Sequence, residues 1–107
     1  MVTGSGLETI DGLIERFLEH LRTMIRVEQV YLFGSWAQGR AAQYSDIDLA
    51  VVSPDFSGVR FHDAVKVIPA VLKTDVSIEV HPYRPEDFDP QRDPFVSEIL
   101  AKGVKIV

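Results

Sequence analysis

A strand-forming segment that stops at Gly34-Ser35, followed ten residues later by a second one opening on Asp46-Ile47-Asp48, constrains this chain more than any other feature. Residues 27–33 are rich in β-branched, aromatic and aliphatic side chains and are expected to form a buried strand. Gly34 then ends it. Lacking a Cβ, it can take a positive φ and let a ligand approach the backbone, while Ser35 supplies a hydroxyl and can cap a following helix, whose exposed N–H groups attract anions. Residues 46–52 begin as an alternation and continue as an apolar run, as a strand buried on both faces would. On such a strand Asp46 and Asp48 share one side.

Two carboxylates held side by side repel one another, and crowding them is costly unless a cation sits between them. Magnesium is the expected ion, because it prefers oxygen ligands, commonly takes one or two protein carboxylates and completes its shell with water and phosphate oxygens. Turn and pair therefore complement each other. One offers donors for phosphate oxygens and the other a cation that neutralises them.

The spacing Gly-Ser, ten residues, Asp-x-Asp resembles the nucleotidyltransferase signature of the DNA polymerase β superfamily, most closely its minimal nucleotidyltransferases. The resemblance is tight over residues 31–53. It implies a polymerase-β-like nucleotidyltransferase fold of the α/β (α+β) kind: a small mixed β-sheet backed by helices, here expected on one side. It also implies a third carboxylate from the next strand, serving as base or further metal ligand. Residues 74–80 alternate Asp75, Ser77 and Glu79 against Val76, Ile78 and Val80, so Glu79 and Asp75 are both candidates. Counting back from Pro85-Glu86-Asp87-Phe88, which resembles the turn after the third motif in this family, favours Glu79.

The site implied by the resemblance has Asp46, Asp48 and Glu79 as catalytic and metal-holding residues, with Gly34, Ser35 and Arg40 toward the nucleotide. Relatives often carry Arg where this chain has Gln38, so Arg40 is a displaced candidate. The implied reaction is Mg2+-dependent transfer of AMP from ATP to a hydroxyl, with release of pyrophosphate. Similar minimal enzymes are often paired with a HEPN-domain toxin and act as antitoxins by adenylylating a toxin tyrosine. The alternatives are a non-catalytic antitoxin that masks its partner by contact, and transfer of AMP to a small molecule.

The remainder of the sequence limits other readings. Residues 1–107 are expected to form a single nucleotidyltransferase domain, since no repeat, low-complexity tract or linker interrupts them. A 46% hydrophobic content argues against disorder. A net charge of −5 argues against broad nucleic-acid binding, leaving Arg40, Lys66 and Lys73 as a local cationic rim at most. No apolar run is long enough for a membrane span, no secretory leader is evident, and there is no cysteine, so a cytoplasmic location is expected.

Leu7, Ile10, Leu13, Ile14, Phe17, Leu18, Leu21, Met24 and Ile25 recur at helical spacing and predict an amphipathic first helix. A second helix is expected over residues 61–72, interrupted or kinked by Pro69, and a last one over residues 94–102 between a leading Pro and Gly103, with a short edge strand at 104–107. His20, His62 and His81 show no metal-binding spacing among themselves. His81 falls two residues after Glu79, on the same face if the strand continues, where it offers help near the phosphates; it reads first as a strand-end surface residue. Trp36 and Tyr44 flank the turn and offer either base stacking or local packing. Tyr83, Phe88 and Phe95 serve an interface or close the core.

Overall fold

The computed structural model describes residues 9–41 and 45–107. Leu7, Tyr44 and the rest of segment 42–44 lie outside the described residues. Helix α1 (Ile10–Arg22) starts at Thr9, whose hydroxyl accepts from the Gly12 N–H at 3.0 Å. Asp11 sits in its first turn and His20 and Arg22 in its last, each of the sign that the helix dipole favours. Ile14, Phe17, Leu18 and Leu21 form its buried stripe. Met24 and Ile25 fall beyond the helix but still pack on the core.

Four strands follow: β1 (Gln29–Phe33), β2 (Ile47–Val52), β3 (Ile78–Tyr83) and β4 (Val104–Lys105), in sheet order β3-β2-β1-β4. β1 pairs antiparallel with β2 and β4, while β2 and β3 run parallel. A parallel neighbour requires a crossover, and α2 (Arg60–Lys66) and α3 (Ile68–Leu72) supply it. The expected single helix over 61–72 breaks at Val67. Pro69 cannot continue a helix from within, but fits the first turn of a new one. The turn before α2 is tied down by Asp63, buried among the N–H and hydroxyl of Ser57 and the N–H of Gly58 at 2.8–2.9 Å. Its charge is met by three donors, which is what makes burial tolerable.

Helices cover both faces of the sheet, in place of the one side expected from sequence. Leu49 and Val51 of β2 join Val30, Leu32 and the α1 stripe, whereas Ala50 and Val52 join Tyr83 and the Val96 and Ile99 side chains of α4 (Pro94–Lys102). Period-two alternation delivers one strand to two cores. α4 begins with Pro94 behind the Asp93 cap, which accepts from Phe95 N–H at 2.9 Å. It ends at Gly103, where a Cβ would stand 2.5 Å from the Ile99 carbonyl oxygen and 3.0 Å from that of Leu32. Tyr83 is buried in this second core, and Phe88, partly buried, packs against it.

β3 begins later than its alternation suggests. Residues 75–77 turn instead, with the Asp75 carboxylate accepting from the N–H and hydroxyl of Ser77 at 2.8 and 2.7 Å. No helix among the described residues is long and apolar enough to cross a membrane.

Candidate functional site

The second face is apolar only toward the far ends of β2 and β3. At the near end it becomes acidic. Phe33, the last residue of β1, pairs with Asp48, and Asp48 pairs with Glu79 across the parallel ladder. Glu79 and His81 are two apart on β3, so both side chains share Asp48's face. The His81 Nε2 lies 3.3 Å from Asp48 Oδ1 and 3.9 Å from Glu79 Oε2, with side-chain exposures of 19% for His81, 23% for Asp48 and 50% for Glu79. One ligand atom from each of the three residues can be chosen so that all lie within 4.8 Å of one another. That is a donor set able to hold a divalent cation, open on the Glu79 side to water or substrate oxygens.

Gly34 explains why a carboxylate fits here at all. Its φ of +76° belongs to the left-handed region, and a Cβ at this position would come within 2.5 Å of Asp48 Oδ2. The bare Cα is what lets the turn lie against the aspartate. Residues 34–39 form hydrogen-bonded turns, with Gln38 N–H donating to the Gly34 carbonyl at 3.2 Å and Arg40 N–H to that of Ser35 at 2.9 Å. This replaces the helix that Ser35 was expected to cap. Trp36 closes the loop from inside: it packs on the core and its indole N–H donates to the Ser45 carbonyl at 3.3 Å. Of its two expected roles, local packing is the one realised.

Behind the acidic group stands an aromatic wall. Phe33 meets His81 edge-on at 4.8 Å between ring centroids and meets Phe95 edge-on at 5.4 Å. Phe95 is 43% exposed, and with Phe33, Gly34, Gln38, Glu98, Ile99 and Lys102 it lines a groove of ≈ 230 Å³ beside the turn. A larger cavity of ≈ 320 Å³ opens at the other end of β3, around Arg60, Tyr83, Arg84 and Asp87, and includes neither Asp48 nor Glu79.

The residues expected from sequence separate in this geometry. Gly34, Asp48 and Glu79 converge. Asp46 is exposed just ahead of β2 and is not one of the three clustered residues. Asp75 is held in the Ser77 turn. Hydrogen bonds from the Ser77 hydroxyl and N–H lower its carboxyl below the usual range, against a small opposing effect of burial. Of the two candidates, Glu79 is the one that lies beside Asp48. Arg40 is exposed and its guanidinium donates to the Gln38 side chain at 2.7 Å, so it leans back on the residue it was thought to replace. Lys66 reaches the Asp55 carbonyl at 3.2 Å. His81 joins Asp48 and Glu79, a meeting that its place two residues after Glu79 foreshadowed.

Comparison with known proteins bears on the fold and the family. No curated protein is found to match the sequence. Similar solved structures include a toxin–antitoxin with AMP-PNP, 23% identical with a TM-score of 0.57, covering 92% of this chain and 73% of that one. A mutant of the toxin–antitoxin MntA-HpeT is 22% identical, with a TM-score of 0.56 over 87% and 71%. A protein from Sulfolobus solfataricus, described as a candidate nucleotidyltransferase, is 19% identical, with a TM-score of 0.56 over 96% and 89%. These likenesses establish the fold. The nucleotidyltransferase domain family matches residues 14–106, which span every strand and all three clustered side chains, and the chain belongs to that family of enzymes.

Proposed function

We propose that this chain is a metal-dependent adenylyltransferase that moves AMP from ATP onto a tyrosine hydroxyl of a HEPN-domain toxin and so acts as its antitoxin. The observation that carries the reading is the meeting of Asp48 and Glu79 against the bare backbone of Gly34. The solved relatives support the setting, since two are toxin–antitoxin structures and one of these holds AMP-PNP.

Asp48 and Glu79, with Asp46 at the mouth, would hold the ion, and Mg2+ suits their oxygens and the phosphates of ATP. When bound, it supplies positive charge against the triphosphate. The turn at Gly34 and Ser35 presents backbone N–H groups and a hydroxyl to the β and γ phosphates, and Arg40 lies at its exit. Glu79, half exposed, accepts the proton of the attacking hydroxyl. The new bond joins that oxygen to the α-phosphorus, and the bond to the β-phosphate oxygen breaks as pyrophosphate leaves. Catalysis then rests on alignment and charge neutralisation. Exposed Phe61, Val65, Ile68 and Leu72 on α2 and α3 offer apolar area for a partner that presents the hydroxyl.

The test is incubation with labelled ATP, Mg2+ and a co-encoded HEPN-type protein, comparing wild type with Asp46→Asn/Asp48→Asn and following AMP on protein by mass spectrometry. Label on a partner tyrosine, lost in the variant, is expected. A stable complex that protects without any label would replace this reading with masking by contact.

A further inference from the structure

We infer that His81 is itself a metal ligand, giving an imidazole-plus-carboxylate set that binds Mn2+ in preference to Mg2+; this deepens the proposed reading of the site and rests on it. The Nε2 atom belongs to a partly buried ring, 19% exposed. It faces two carboxylates at once, Asp48 Oδ1 at 3.3 Å and Glu79 Oε2 at 3.9 Å. A single ring N–H satisfies at most one of them as a donor. Atoms bound in cis positions to an octahedral ion with bonds of about 2.1 Å stand about 3 Å apart, and in trans about 4.2 Å. The separations at His81, 3.3 and 3.9 Å, lie between these two values, and the three ligand atoms lie within 4.8 Å of one another, so small side-chain rotations close the set on one ion.

The ring is also held in place. Phe33 meets it edge-on at 4.8 Å and Phe95 lies 6.2 Å away, so the aromatic wall fixes the imidazole plane while leaving Nε2 toward the acids. β3 continues through Tyr83 in parallel register with β2, which fixes Glu79 and His81 as a pair against Asp48. A ligand positioned by packing loses little freedom on binding.

The chemistry follows from the added nitrogen. Carboxylates and water alone suit Mg2+, which accepts nitrogen ligands reluctantly, whereas imidazole raises affinity for first-row transition ions. Mn2+ keeps the octahedral habit that phosphate transfer uses and accepts a mixed nitrogen and oxygen shell. His81 thus sets which ion the site prefers, while Asp48 and Glu79 set that it binds an ion at all.

Pulsed EPR of the full chain loaded with Mn2+ alone tests this without relying on turnover. The expected result is a nitrogen modulation of imidazole type that changes its isotope pattern when histidine is labelled with 15N. His81→Asn should abolish it and weaken Mn2+ binding about tenfold or more, with Mg2+ affinity, measured by competition, changing less than about threefold. Asp48-dependent Mn2+ binding with no nitrogen modulation would overturn the inference and leave the site reading intact. Absence of Mn2+ binding, or binding indifferent to Asp48→Asn, would overturn both. The isotope experiment needs no variant, so a His81 substitution that fails to fold does not shield the inference.

Discussion

The two faces of β2 differ by a single residue step and do different work. Leu49 and Val51 enter a dry core with α1, whereas Asp48 and Ala50 turn toward α4, where the same face changes from apolar at Val52 to acidic at Asp48. The first face is packed along its whole length. The second is packed at one end, which fixes β3 against β2, and left polar at the other, where that fixed register holds Glu79 and His81 beside Asp48. Rigidity made in one place is used in another.

Neighbouring substitutions should break this contrast most visibly. Leu49→Ala is expected to cost about 2–5 kcal/mol, lowering Tm by roughly 10 °C or more. Asp48→Asn should leave Tm unchanged or raised, because it relieves repulsion with Glu79, while nucleotide transfer falls by about a hundredfold or more. Thermal unfolding and single-turnover assays on the two variants separate the faces; a matching loss of stability in both would erase the distinction.

Gly34→Ala sharpens it further, since a residue with a Cβ pays about 1–2 kcal/mol to hold the left-handed backbone found here, and the new methyl collides with Asp48 Oδ2. Activity should drop by about tenfold or more, beyond what the modest fall in Tm explains. Wild-type turnover in this variant would show that the turn need not touch the aspartate.

A smaller effect concerns Asp75, the carboxylate that lies outside the site. Its folded pKa is depressed by Ser77, so its contribution is present above the ordinary carboxylate pKa and is lost as pH falls through the folded value. Asp75→Ala should therefore be less stable than wild type at neutral pH by about 1 kcal/mol or less, given its solvation, and the gap should narrow as pH falls below the ordinary carboxylate range. Its transfer activity should be unchanged, in contrast to Glu79→Gln.

The smallest change lies at the packed end. The Tyr83 hydroxyl is buried without a hydrogen-bond partner among the described residues, and burial raises its pKa. Tyr83→Phe should be neutral or stabilising by up to about 1 kcal/mol in a denaturant titration.

What sequence made legible was local. The turn at Gly34 and the strand carrying Asp48 were readable because a strand, a turn and a strand lie within a few residues and each needs a particular residue type. The Pro69 break and the Pro94 and Gly103 helix ends were readable for the same reason. The contact of His81 with Asp48 was not, because it arises from parallel pairing across 33 residues of chain. The alternation over 74–80 misled for a different reason. Asp75 and Ser77 have the right parity for a strand, but together they form a side-chain turn, which competes with strand backbone. The second helical face was hidden because β2 is apolar on both sides, and an apolar run does not say what covers it.

The most direct measurement is titration calorimetry of a non-hydrolysable ATP analogue into the wild type and Asp48→Asn, with and without a divalent ion. Binding that requires the ion and disappears in the variant is predicted. Equal binding by both proteins without any ion, or none by the wild type with it, would contradict a metal-dependent nucleotide site at the acidic end of the second face.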